Sequence, residues 1–396
     1  MAEKGNEQLE RYHDLDALRA GAMLLGVWLH VAIAYIPNIE QLWPVEDRGA
    51  HWFWGLTVLG VHGFRLQLFF VMAGFFAAMT WERRGPRAFC RHRLRRIGVP
   101  LVLGCVVLLP LMAGVTLWGL HLRGLDWGTF SQQAPEFTEP NLGHLWFLWY
   151  LLWLLAGFAG IMKLAERWNL RAPGARWVVG GWRFVLVMVL TLPWQWLMGD
   201  WTIDPPLGLL PIPRLLGYYA VFFAFGCWLW RNRAGLAQVG RHWPWLLAAG
   251  PICLLVGLAC TASGLPPGMD PETVRYPNYL VSTRAPWLHW GACVAHVLVA
   301  WCFIFSFMGL ARRIGRWQNA RVRYVADASY WLYLSHLPVV LALQFIMADW
   351  PGPGALKLAA NLGLTLASLL AVYAWVVRRS WLGKVLHGPR RENRPE

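Results

Sequence analysis

Charge is what this sequence has least of. Asp, Glu, Lys and Arg make up 14% of its 396 residues, against roughly a quarter in soluble globular domains. Acids are the scarcer sign: 21 Asp and Glu stand against 36 Lys and Arg, a formal net charge of +15. With 57% hydrophobic residues and a mean hydropathy of +0.39, an ordinary soluble domain is excluded and a bilayer becomes the expected solvent. Several enzyme signatures are also missing. There is no phosphate-cradling GxxxxGKS/T loop, no GxGxxG on a strand, no HExxH zinc helix and no GxSxG nucleophile elbow. No cysteine pair has metal-site spacing, and no cysteine falls in a segment expected outside the membrane. Neither a bound metal nor an extracytoplasmic disulfide framework is therefore expected. A secretory leader is not expected either. The stretch Met1 to Asp16 mixes charges, and no small-residue cleavage site follows the next apolar run, which reads as a retained first helix.

What is present is a succession of apolar runs. Each span of a bilayer needs roughly 20 apolar residues. The runs fall at 17–37, 53–80, 98–119, 144–163, 178–198, 211–230, 243–262, 286–310, 325–347 and 355–377. The expected fold is all-α: a polytopic membrane helical bundle with about ten transmembrane helices and no separate soluble domain. The run 53–80 is long and carries His62 and Arg65, so its start reads equally as an interfacial or re-entrant segment.

Arginine fixes the expected orientation, because cytoplasmic loops collect Lys and Arg. With the N-terminus inside, the inner segments hold Arg83, Arg84, Arg87, Arg91, Arg93, Arg95 and Arg96, then Arg167, Arg171 and Arg176. They continue with Arg231, Arg233 and Arg241, with Arg312, Arg313, Arg316, Arg321 and Arg323, and with a basic tail. The outer segments carry scattered cations, among them Arg48, Arg123, Arg275, Arg284 and Lys357, and more acids, such as Asp47, Glu136, Asp200 and Asp270. Both termini are thus expected in the cytoplasm, and the basic charge is accounted for without nucleic acid. Tryptophan is abundant at 28 residues. Trp43, Trp52, Trp54, Trp127, Trp194, Trp201, Trp287 and Trp350 sit near expected outer span ends, which reads as an interfacial aromatic belt or as a stacking surface for sugar rings.

Ionisable residues at membrane depth are costly and mark functional sites. Asp16, Arg19 and His30 fall within an arc of roughly 60° on a helix, with His30 about 16 Å beyond Arg19 along the axis. That face joins the expected cytoplasmic surface to a buried imidazole. A neutral imidazole in a dry site can take a hydroxyl proton or accept an acyl group; an interhelical hydrogen bond is the structural alternative. In the inner loop Arg91 to Pro100, Arg93 and Arg96 share a face if a helix begins there, and arginine forks suit phosphates. Positive-inside anchoring explains the same residues. Ser329 and His336 share a helical face seven residues apart, too far for a nucleophile pair, so His336 reads as orienting a partner. His289 and His296 show the same spacing and read as structural. His144 opens the fourth span as an interfacial or acceptor-site residue.

Together these residues resemble the acyltransferase family 3 membrane proteins. The similarity lies in Arg11 … Leu15-Asp16-Ala17-Leu18-Arg19-Ala20 … His30, in Arg93 to Arg96 ahead of Ile97 and Pro100, and in Ser329-Tyr330-Trp331-Leu332-Tyr333-Leu334 with His336. It runs from Arg11 to about Gln344. Phe64 to Phe76 and Arg96 to Leu101 look most like the glucans biosynthesis protein C branch, which is associated with succinylation of periplasmic glucans.

The resemblance implies an integral membrane O-acyltransferase. It would move a succinyl or acetyl group from cytoplasmic acyl-CoA, a co-substrate, to a hydroxyl of a periplasmic or cell-surface glycan; osmoregulated periplasmic glucans are candidate acceptors. No bound cofactor is implied. Its divisions would be a cytoplasmic segment 1–16, a ten-helix acyltransferase domain 17–380 and a basic cytoplasmic tail 381–396. His30, Arg19 and Asp16 would be catalytic, and Arg93 and Arg96 would bind acyl-CoA. His144, Arg65, His336, Ser329 and Tyr330 would serve or support the acceptor side, with Arg65 the cation for a succinyl carboxylate. The implied setting is the bacterial inner membrane, with lipids, donor and glycan as partners. A proton-coupled transporter or flippase of an anionic glycolipid is the alternative; no matched pair of broken spans supports it.

Overall fold

The computed structural model describes residues 12–133, 141–169, 181–198, 206, 208–233, 238–264, 285–315 and 319–387. Arg11, Glu136, Arg171, Arg176, Asp200, Trp201, Asp270, Arg275, Arg284, Arg316 and the tail beyond His387 lie outside the described residues. Among the described residues there are helices and no strands. A bilayer offers backbone groups no partners, and a helix satisfies them within the segment.

Each of the ten expected runs lies on a helix. They are α1 (His13–Ile33), α2 (Trp52–Arg93), α3 (94–122), α4 (Trp146–Arg167), α5 (Gly181–Met198), α6 (Pro213–Arg231), α7 (Trp243–Gly264), α8 (Pro286–Gly315), α9 (Ala320–Met347) and α10 (Gly354–Trp375). Seven helical runs are long and apolar enough to cross a membrane, with 52–122 counted as one that holds both α2 and α3. The chain is a polytopic helical membrane protein.

Two expectations change here. The start of α2 is not re-entrant: the helix is continuous from Trp52, capped by His51 Nδ1 accepting from Phe53 N at 3.2 Å. The arginine-rich stretch after residue 80 is not a loop. α2 runs on to Arg93, broken only at Gly85, whose φ of 74° and ψ of 170° leave the helical region before Pro86 restarts it. α3 then opens on a π-helical turn, Leu94–Gly98, and carries a second at Gly104–Leu108. The break lets α3 fold back across the bundle.

α1 sits at the centre, packed against α2, α8 and α9. Close approach elsewhere depends on glycine. A Cβ on Gly74 of α2 would overlap the Phe223 carbonyl, and one on Gly226 of α6 would overlap the Val71 carbonyl. This reciprocal contact brings the two backbones together, as small residues do between membrane helices.

Candidate active site

Between α1, α2, α3, α4 and α9 lies one cavity of about 880 Å³. It reaches from Arg19, Arg93, Arg96 and Asp327 at the arginine-rich end to Trp43, Trp127 and Asn141 at the other. Arg19 and His30 line the same cavity, so the face read from the α1 period is a cavity wall.

Midway, three imidazoles from three helices converge. The His30 ring lies 5.1 Å from that of His336, and His336 lies 5.6 Å from His144, centroid to centroid. Backbone carbonyls assign two tautomers. His336 Nδ1 is 2.9 Å from both the Leu332 and Tyr333 carbonyls, so Nδ1 carries the proton and Nε2 keeps its lone pair. His144 Nε2 donates to the Leu334 carbonyl at 3.0 Å, so Nδ1 keeps the lone pair. Both lone-pair nitrogens, and Nδ1 of His30, are buried without a hydrogen-bond partner. Such a set can receive a proton from a substrate hydroxyl.

The Leu334 carbonyl is available for a local reason. Its ordinary helical donor would be the N–H of residue 338, and that residue is a proline. The sequence Ser335-His336-Leu337-Pro338 therefore supplies one imidazole and frees the acceptor that orients a second. His144 is buried, at 8% exposed, and faces α9. Its backbone is held as well, since Tyr333 Oη donates to the His144 carbonyl at 2.6 Å.

Arg65 lines the cavity beside these rings. Its guanidinium packs against Gly26 of α1, occupying the space a Cβ there would need. Its Nε is buried without a hydrogen bond, and no carboxylate pairs with it among the described residues.

At the arginine-rich mouth, Arg19 Nη2 bridges Asp16 at 3.2 Å and the Ala326 carbonyl at 2.9 Å. Arg93 is partly committed to the fold. Its Nη2 donates to the Phe76 carbonyl at 2.6 Å and to Thr80 Oγ1 at 3.1 Å, clasping the two sides of the α2 break. Arg96 is different. It sits in the first π turn, makes no side-chain hydrogen bond among the described residues, and has Arg84, Arg19 and Arg95 close enough to act on it electrostatically. Tyr330 Oη donates to the Arg96 carbonyl at 2.8 Å, which fixes the π turn to α9. Asp327 is the acid lining this mouth. Ser329 Oγ donates to the Ala326 carbonyl of its own helix at 2.7 Å. His289 and His296, on α8, do not line the cavity.

Two site residues escaped sequence reading. Trp43, read as part of an aromatic belt, is 8% exposed and stacks on His30 at 5.8 Å with an interplanar angle of 23°. Gln344 of α9, 2% exposed, accepts from Trp43 Nε1 at 2.8 Å. A polar amide in the last turns of an apolar span was the available signal. Trp52, Trp287 and Trp350 are well exposed, as a belt requires.

A family model described as an acyltransferase domain matches residues 12–377. Among curated proteins, the glucans biosynthesis protein C of Salmonella schwarzengrund (strain CVM19633) is 30% identical over 139 residues, 35% of each chain. The proteins of the same name from Salmonella typhi and Salmonella typhimurium (strain LT2) match over the same extent. The chain thus spans about a third of the length of the curated relatives it matches. No solved structure matches it.

Proposed function

The chain belongs to the acyltransferase family whose domain model covers it, and from that premise we propose that it acylates glycan hydroxyls from acyl-CoA. The donor is cytoplasmic, the acyl group succinyl or acetyl, and the acceptor a periplasmic or cell-surface glycan, with osmoregulated glucans a candidate class. The membrane is the bacterial inner membrane, with both termini in the cytoplasm. One observation carries the reading: a single cavity joins Arg19 and Arg96 at one end to the His30 cluster and then to Trp43 and Trp127 at the other. The arginine bias of the first end supports a cytoplasmic placement for it. The name of the Salmonella relatives supports a glucan acceptor.

In the reaction, donor phosphates rest against Arg96 and Arg19, and the thioester arm extends toward His30. A ring nitrogen of His30 takes the acceptor hydroxyl proton as the oxygen attacks the thioester carbonyl carbon. The tetrahedral oxyanion collapses, the carbon–sulfur bond breaks, and the leaving thiolate takes the proton back from the imidazolium. The products are an ester and free coenzyme A thiol. In the relay version a ring nitrogen of His30 attacks the thioester carbon, the carbon–sulfur bond breaks and the thiolate takes the proton of the other ring nitrogen; the acyl-imidazole then gives its acyl group to the hydroxyl oxygen as the hydroxyl proton returns to the ring. Arg65, which lines the cavity beside the imidazoles, meets the distal carboxylate of a succinyl group.

The test uses purified protein in detergent with labelled acyl-CoA and a glucan acceptor. Ester product without any membrane gradient is expected and excludes a carrier. His30→Ala should form none while remaining folded; normal product from that variant overturns the mechanism. Rapid mixing of protein with acyl-CoA in the absence of acceptor separates the routes, because only the relay releases a burst of about one coenzyme A thiol per protein.

A further inference from the structure

The last carbonyls of a helix have no intrahelical donor and must find one elsewhere. At the end of α1, the N–H groups of Ala34 and Tyr35 both turn to the Ala32 carbonyl, and Ile36 N–H takes that of Ile33. The carbonyls of His30 and Val31 instead receive the side chain of Gln344, whose Nε2 lies 2.9 Å and 3.0 Å from them. Its Oε1 accepts the Trp43 indole N–H, and that indole is the ring stacked on His30. One buried amide thus grips the His30 and Val31 carbonyls with its N–H bonds and holds, with its oxygen, the aromatic face against the His30 ring. A primary amide supplies two donors and an acceptor at one point, which no apolar side chain can do.

We infer that Gln344 is the positioning residue for His30: it sets the imidazole's place on α1 and, through Trp43, its ring plane. This rests on the reading of His30 as the reacting imidazole. Gln344 touches neither donor nor acceptor in this arrangement, so its loss should act on turnover and not on donor binding. Misplacing a reacting group by about 1 Å costs up to about 100-fold in rate.

The experiment compares the full-length wild type with Gln344→Leu, Gln344→Glu and Trp43→Phe in detergent. Three quantities are measured: kcat for acyl transfer, Kd for acyl-CoA, and the rate at which diethyl pyrocarbonate modifies His30, read by peptide mass spectrometry. In Gln344→Leu, kcat should fall roughly 30- to 100-fold, acyl-CoA affinity should hold, and His30 modification should quicken severalfold. Gln344→Glu, which keeps the side chain's length and an oxygen acceptor for Trp43 but loses the paired N–H donors, should lie between Leu and wild type. Trp43→Phe, which removes the indole N–H and part of the ring stacked on His30 but leaves the Gln344 bonds to the α1 carbonyls in place, should shift the labelling less than Gln344→Leu. If Gln344→Leu does not fold, the same ordering is read from the other two variants. Unchanged kcat and labelling in Gln344→Leu overturn the inference. So does an equal loss of turnover and donor affinity, which is what a merely structural role would give. If the wild type transfers no acyl group while the labelling order holds, the transfer reading fails and the positioning of His30 stands.

Discussion

Arg65→Met separates the acyl group's charge from the rest of the chemistry. Met keeps an unbranched stem in the space beside Gly26 and removes the guanidinium. In the free protein this takes away a cation that has no carboxylate partner among the described residues. Unpaired charge is costly to hold away from water, so the variant should melt no lower than wild type. With a succinyl donor the same change removes one half of a charge pair. Such truncations cost about 2–5 kcal/mol when the pair is desolvated. Arg65 borders an open cavity, so screening by water puts the loss near the lower end, about 2–3 kcal/mol, or roughly 30- to 150-fold in kcat/KM. An acetyl donor has no distal carboxylate and should lose little. The assay is competition: equal succinyl-CoA and acetyl-CoA with distinct isotopes, one glucan acceptor, and mass analysis of the esterified product. The succinyl-to-acetyl product ratio should fall by that factor. A ratio equal to the wild type's would refute the assignment, and so would equal losses with both donors.

Four further outcomes follow from the same geometry. Pro338→Ala returns an N–H to the Leu334 carbonyl in competition with His144 Nε2, so turnover should fall on the order of tenfold while the thermal midpoint rises. Lys357→Met strands Asp47: the two are each 3% exposed and 2.6 Å apart, and Lys357 Nζ also meets the Trp350 carbonyl at 3.1 Å. Stability should drop by about 3–5 kcal/mol in a detergent melt, with part recovered in Asp47→Asn/Lys357→Met. Arg96→Ala should raise the acyl-CoA KM at an unchanged melting temperature. Arg93→Ala should lower the melt instead, by about 1.5–3 kcal/mol, because its bonds to Phe76 and Thr80 clasp the α2 break.

The positions of the helices were legible because water-to-lipid transfer acts on each segment separately. An apolar run of bilayer length becomes a helix whatever its neighbours do, and arginine accumulates between runs in alternation. The face shared by Arg19 and His30 was legible for the same reason, since a helical period is local. The arginine-rich segment after residue 80 was misread as a loop: Gly85 and Pro86 mark a break, but arginine content does not reveal that helix continues on both sides of it.

The sequence by itself therefore determined the helical bundle, its arginine-rich end and the residue types available to a site. Tertiary structure alone decided which of them meet. His30 and His336 come from α1 and α9, His144 comes from the 3-10 turn Gly143–Leu145 that leads into α4, and Trp43 and Gln344 are 301 residues apart. Lateral packing in lipid depends on shape and on a few polar contacts, because helix and lipid surfaces are equally apolar. No periodicity within one helix encodes which neighbour it will touch. That choice turned a tryptophan of the expected belt into the wall behind His30, and a lone glutamine into its support.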